Sequence, residues 1–226
     1  MDPRILALLS AVVPFITIQV TYLLSASYGH VDWCFPYVDS CTSISATGRQ
    51  PPASYVFRAT MLPVAVIMMG FWWLSATWIR NLQDAAGLPV TGRQRWMLVL
   101  GLLACMGLIL YVTVLGEVGD VWRRQRRIGV VLFFSMTYLA QLLWVAQLRQ
   151  LTLPRVSGLL RSMWLVCIAL LATGLLTVVL ELWNEAWYDT VEDAFEWVLA
   201  LMLQSNFLLA WLVWRRMPWT LQVKAA

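Results

Sequence analysis

Four arginines crowd into five positions, Arg123, Arg124, Arg126 and Arg127, directly before an apolar run. A guanidinium is a planar fork that can hold two oxygens of a phosphate or carboxylate, so such a cluster suits an anionic group. Carboxylates gather elsewhere. Glu192 and Glu196 are four residues apart, as are Asp189 and Asp193, so each pair shares one face of a helix. Arg58 and Glu181 stand at the edges of other apolar runs. Two readings follow. In the structural one these charges form an ion-pair network that fastens helix ends, with Arg58 paired to Glu196 or Glu181. In the functional one Arg58, Arg123, Arg126 and Arg127 hold an anionic headgroup, and Glu181, Glu192 and Glu196 position them. Glu196 is also the candidate general base if the site performs a reaction.

The segment 29–55 is the second place with chemical character. It carries His30, Asp32, Ser45 and Thr47, with Gly48, Pro51 and Pro52 as turn formers. It reads as a compact lid. Cys34 and Cys41 both fall within it and can close a small ring if the loop faces an oxidising compartment. Cys105 and Cys167 lie inside apolar runs and read as buried, unpaired thiols. His30 is the single histidine, which excludes a multi-histidine metal centre; His30 with Asp32 is a weak set, and no metal is assigned. No phosphate-binding glycine loop and no G-x-S-x-G element occurs, so no cofactor is expected.

The elements that must carry these residues are six apolar stretches, at about 5–28, 56–79, 96–115, 128–148, 162–182 and 193–214. Each has about the 20 residues that a helix needs to cross a hydrocarbon core. The chain of 226 residues is 61% hydrophobic and 12% charged, and its mean hydropathy is +0.71. In lipid only structures that satisfy their own backbone can span, and six helices do so. The fold class is therefore all-α, a polytopic bundle of six transmembrane helices forming a single domain over 1–226. The first run follows Arg4 and could be a secretory signal cleaved near Ala26–Ser27, but its length favours a retained span. Gln19, Gln141, Gln204, Ser205 and Asn206 read as interhelical hydrogen bonders. Pro14 and Pro63 are expected to bend their helices. The tryptophans, among them Trp33, Trp72, Trp73, Trp122, Trp183, Trp187, Trp197, Trp214 and Trp219, are expected to form interfacial belts.

Lys and Arg in short loops set orientation. With an inside N-terminus, ten of the 16 basic residues lie inside, Lys224 among them, with Asp2 and Asp84 as the acids there. That side carries +8 and the other −4, together the formal net charge of +4. Both termini are expected on the cytoplasmic side. The basic pI of about 9.1 then reflects orientation anchors and no nucleic-acid partner. One lysine against 15 arginines fits a GC-rich, bacterial genome. The localisation expected is a bacterial inner membrane, or an endomembrane or plasma membrane in another source.

Ile44-Ser45-Ala46-Thr47-Gly48-Arg49-Gln50-Pro51-Pro52-Ala53-Ser54-Tyr55-Val56-Phe57 resembles the IS-D-TG-x-x-PP-E-S-x-x-F loop of the Frag–DRAM–Sfk family. The segment from Arg127 to Phe134 is similar to the opening of that family's fourth span, and Glu196-Trp197 to the Glu-Trp of its sixth. Ala46 stands where the family has an aspartate, and Arg126 or Arg127 where it usually has a histidine, so chemistry that needs those two groups is not expected. The resemblance implies six spans with inside termini and a task connected with lipid. The family includes autophagy modulators and a factor for lipid remodelling of GPI anchors, a task that a bacterial member would not have.

The leading expectation is an integral membrane protein that binds membrane phospholipids, or helps to remodel or organise them, through a cavity on the outer-leaflet side. One alternative is a lipid-remodelling enzyme that uses outer carboxylates. Another is a scaffold that recruits a partner protein. Homo-oligomerisation stays open.

Overall fold

The computed structural model describes residues 2–89 and 92–217. Lys224 and Trp219 lie outside them. Six long helices are present: α1 (Pro3–Ser27), α4 (Ala53–Ala85), α5 (Arg93–Thr113), α6 (Asp120–Arg149), α7 (Ser157–Trp183) and α9 (Glu192–Arg216). Three single-turn helices lie in the connections at one end: α2 (Pro36–Asp39), α3 (Ile44–Thr47) and α8 (Glu185–Tyr188). All six long helices are long and apolar enough to cross a membrane. The described residues contain no strand.

Each long helix packs on the next, and α9 closes back onto α1, so the six form a ring in chain order. The ring is tightest between α5 and α6. A Cβ at Gly129 would stand 2.7 Å from the Gly107 carbonyl oxygen, and one at Gly107 would stand 2.9 Å from that of Gly129. Two glycines thus let the backbones touch, the usual device for close helix approach in lipid. Gly101 makes room in the same way for the ring of Trp72.

The bundle centre is aromatic. Trp72, Trp144, Trp197 and Trp214 are its largest fully buried side chains. This corrects the interfacial assignment for Trp72, Trp197 and Trp214. Their positions near helix ends were compatible with a belt, but their helical faces point at neighbouring helices. Trp33, Trp73, Trp122, Trp183 and Trp187 are exposed, as a belt requires. Gln141 and Asn206 pair across helices, whereas the predicted hydrogen bonder Gln204 leaves its Oε1 buried without a partner. Asn206 Nδ2 donates to Gln141 Oε1 at 3.1 Å, and Gln141 Nε2 to the Leu203 carbonyl at 3.1 Å. Ser205 instead donates to Met202 within its own helix. Pro14 and Pro63 lie inside α1 and α4, and Thr17 of α1 donates to Thr60 of α4 at 3.0 Å.

Helix α7 departs from the ring. Its buried residues, Leu160, Met163, Cys167 and Leu170, all lie in its first half. Only 17% of its apolar window is buried, against 39–50% for the other spans. Its second half therefore stands away from the core, at the end where the segment 28–52 folds. That end is called the lid face below.

Candidate functional site

The lid is fastened to α1 and α9. Tyr22 of α1 donates through its hydroxyl to the Cys34 carbonyl at 2.7 Å and accepts from the Cys34 amide at 2.8 Å. Trp197 Nε1 donates to the Thr42 carbonyl at 2.8 Å, and the Ala194 amide to Ser40 Oγ at 3.1 Å. Gln19 donates to the Tyr37 hydroxyl at 2.7 Å, and partial burial pushes the Tyr37 phenol above its ordinary range. A disulfide joins Cys34 to Cys41, with Cα atoms 6.6 Å apart.

The remaining lid residues have structural partners. Thr47 is buried and donates to the Ile44 carbonyl at 2.8 Å. His30 Nε2 bonds the Pro51 carbonyl at 3.1 Å, and the Asp32 carbonyl accepts from Tyr22. Pro51 and Pro52 lead into α4. Gly48 permits close docking, since a Cβ there would meet Phe57 and Leu115 at 2.8 Å. Ser45 Oγ accepts from Arg49 at 2.8 Å and bonds Ser43 Oγ at 3.1 Å, so the α3 turn presents two hydroxyls and a guanidinium together.

The lid covers the α1–α9 side and leaves the α6–α7 side open. Between them is a cavity of about 770 Å³. Its α6 wall carries Arg123, Arg126 and Arg127. These positions lie three and four apart, so they share a face, while Arg124 turns away. Its α9 wall carries Glu192, Asp193 and Glu196. Ser43, Ser45 and Arg49 of the lid, Tyr111 of α5 and Tyr188 of α8 complete the polar part. Burial raises the Tyr188 phenol above its ordinary value.

Opposite charges face each other here without touching. The one ion pair within 4.0 Å among the described residues is Arg4 with Asp2. Arg127 acts on Glu192 through space, and Arg49 acts on Asp193 and Glu196. Arg126 is held by the α5–α6 connection, donating to the Glu117 carbonyl at 2.6 Å and the Val114 carbonyl at 3.3 Å. At the cavity base the Tyr111 hydroxyl is buried and has no hydrogen-bond partner.

Two apolar spaces adjoin the polar cavity. One, about 210 Å³, lies between α6, α7 and α9 and is lined by Tyr138, Leu170, Leu171, Leu175 and Leu203. It shares Phe134, Ser135 and Leu199 with the polar cavity. The other, about 50 Å³, runs towards the bundle centre and shares Tyr111, Val130, Phe134 and Glu196. Glu196 thus borders a polar space on one side and an apolar one on the other.

Two predicted members are not at the cavity. Arg58 donates to the Leu115 carbonyl and makes no ion pair with Glu196 or Glu181. Its helix end meets the α5–α6 connection, where a carbonyl is nearer than any carboxylate. Glu181 is exposed near the end of α7 and does not line the cavity. Ser43, Arg49, Tyr111 and Tyr188 line the cavity and were missed by the residue-type argument. Arg49 has a faint signal, four residues after Ser45 in a Gly-Arg turn. Tyr111 has none, because nothing local distinguishes it from a core aromatic.

A family model described as the Frag1/DRAM/Sfk1/Cwh43P N-terminal domain matches residues 4–214. The chain belongs to the Frag1/DRAM/Sfk1 family. The matched range takes in all six spans, the lid and both cavity walls, so this Frag1/DRAM/Sfk1 chain carries the site within its family domain. No curated protein and no solved structure matches it significantly. The Frag1/DRAM/Sfk1 chain is an integral membrane protein with six apolar helices.

Proposed function

We propose that the lid-face cavity binds a membrane phospholipid, with the phosphate at the arginines of α6 and the acyl chains in the apolar groove between α6 and α7. The observation that carries this reading is the continuity of the two spaces. A polar cavity lined by Arg123, Arg126 and Arg127 adjoins an apolar groove, with Phe134, Ser135 and Leu199 lining both. That sequence of environments matches an amphiphile lying along the bundle. The exposed second half of α7 supplies lateral access from the bilayer. Arginine forks suit phosphate oxygens, and at the membrane surface they replace water that the headgroup loses.

Co-purified lipid measured by native mass spectrometry tests the proposal. Arg126→Gln with Arg127→Gln is expected to reduce phospholipid retention about tenfold, the equivalent of one strong charge-assisted contact. The loss is expected to narrow as salt rises, because exposed charges are screened within about 8 Å at physiological ionic strength. Equal retention by wild type and variant rules out the phosphate site.

A lipid-remodelling enzyme is the second reading, favoured by the position of Glu196 at the junction of polar and apolar spaces. A carboxylate there can serve as a general base beside the linkage between headgroup and chain. Incubation with phospholipid is then expected to release lysolipid or fatty acid, with the activity lost in Glu196→Gln. Unchanged lipid masses leave binding alone.

A further inference from the structure

The cavity has two charged walls of opposite sign, and an anionic group satisfies only one of them. Arg123, Arg126 and Arg127 face Glu192, Asp193 and Glu196 across about 770 Å³, with Arg49 at the rim. Had these charges served only to neutralise each other, direct pairs would be expected. None lies within 4.0 Å among the described residues. Nor do the carboxylates form a group arranged to hold a metal ion, again among the described residues. Glu196, at the edge of the apolar space, is costly to keep charged unless something beside it carries the complementary charge.

The Tyr111 hydroxyl is a second, independent observation that points to a ligand. Tyr111 is 6% exposed, lines the cavity, and its hydroxyl has no partner. It lies in the combined field of Glu196, Arg49 and Arg126, at the boundary between the two walls. A buried hydroxyl without a partner costs about 1–3 kcal/mol, and a headgroup oxygen at this boundary would accept from it.

Resting on the phospholipid reading above, we propose that the ligand is a zwitterionic aminophospholipid, whose phosphodiester meets the α6 arginines and whose ammonium meets Glu192, Asp193 and Glu196. An ammonium is a compact cation with up to three donors, and carboxylates and the Ser43 and Ser45 hydroxyls are acceptors. The distance between phosphate and ammonium in one headgroup then bridges the two walls. A phosphatidylglycerol headgroup has the same phosphodiester but brings only hydroxyls to the acidic wall. The carboxylates thereby select among lipids that the arginines alone would accept equally.

The test is competition between two lipids with the same acyl chains. Purified protein is equilibrated in mixed micelles with equimolar dioleoyl phosphatidylethanolamine and dioleoyl phosphatidylglycerol, and bound lipid is identified by native mass spectrometry. Wild type is expected to retain phosphatidylethanolamine about tenfold over phosphatidylglycerol, one charge-assisted contact in favour of the amine. Glu192→Gln with Glu196→Gln is expected to bring that ratio close to one, through loss of bound phosphatidylethanolamine. Glu192→Gln alone, at an exposed position, is expected to lower the ratio and serves if the double variant does not fold. Equal retention of both lipids by wild type, or a ratio unmoved by the carboxamides, overturns the amine-selective site and leaves the phosphate site standing. No phospholipid on wild type overturns the phospholipid reading itself.

Discussion

Arg58 sits in the second turn of α4, where its guanidinium donates to the Leu115 carbonyl and not to a carboxylate. It ties the start of α4 to the end of α5 and stays clear of the cavity. Arg58→Ala is expected to cost about 1.5–3 kcal/mol, the range for hydrogen bonds to charged groups. Thermal unfolding in detergent measures that loss, and lipid retention is expected to stay at the wild-type level. A combined loss of stability and lipid would place Arg58 in the site after all. Trp197 makes the complementary case. Its ring packs edge-on to Tyr22 and Tyr37, and its Nε1 holds the lid through the Thr42 carbonyl. Trp197→Phe keeps most of the ring and removes that bond, at about 1 kcal/mol. Hydrogen exchange in residues 34–47 is expected to speed up while the bundle stays folded; unchanged exchange would show that the lid is held elsewhere.

At the scale of elements, the α5–α6 contact and the lid each border the cavity. Gly107 and Gly129 bring the two backbones together just below Tyr111 and the arginine face. Gly129→Leu forces the helices apart against backbone atoms that cannot give. Overpacking of this kind costs about 1–3 kcal/mol or more. Because Tyr111 and Arg126 ride on the displaced helices, lipid retention is expected to fall together with thermal stability. Stability that falls without lipid loss would separate the contact from the site. The lid is closed by a short disulfide with a sequence separation of 7. Removing such a link costs about 2–3 kcal/mol in the chain-entropy account. Cys34 and Cys41 are expected to resist alkylation until reduced. Cys34→Ser with Cys41→Ser is expected to raise protease sensitivity within the lid and leave the six spans intact.

For the whole molecule, six crossings place both ends of the bundle on the face opposite the lid. We expect charge to set which face is cytoplasmic. The face opposite the lid holds most of the arginines, and positive loops stay cytoplasmic. Single cysteines introduced at Ser45 and Tyr188 are therefore expected to react with impermeant reagents from outside, and one at Leu88 only from inside. The reverse pattern would invert the protein and place the cavity in the cytoplasmic leaflet. The exposed second half of α7 also makes the bundle asymmetric.

Hydropathy alone determined that six helices span the membrane, because 20 apolar residues have one economical arrangement in lipid whatever their neighbours do. It also located the arginine cluster and the α9 carboxylates, since charge next to hydrocarbon is conspicuous in any order of packing. Helix ends were less legible. Helix α6 begins at Asp120, well before the apolar run at 128, because the arginine-rich segment continues the helix beyond the hydrocarbon. The Cys34–Cys41 pair and the Gln141–Asn206 contact were legible, but the partners of the arginines were not. Arg58 and Arg126 take backbone carbonyls, while Arg49 and Tyr111 join the cavity from a lid turn and from the end of α5. Which side chains meet depends on the order of helices in the ring, the glycine contact between α5 and α6, and the outward lean of α7. Those are packing outcomes between segments far apart in sequence, and no local pattern of residues carries them.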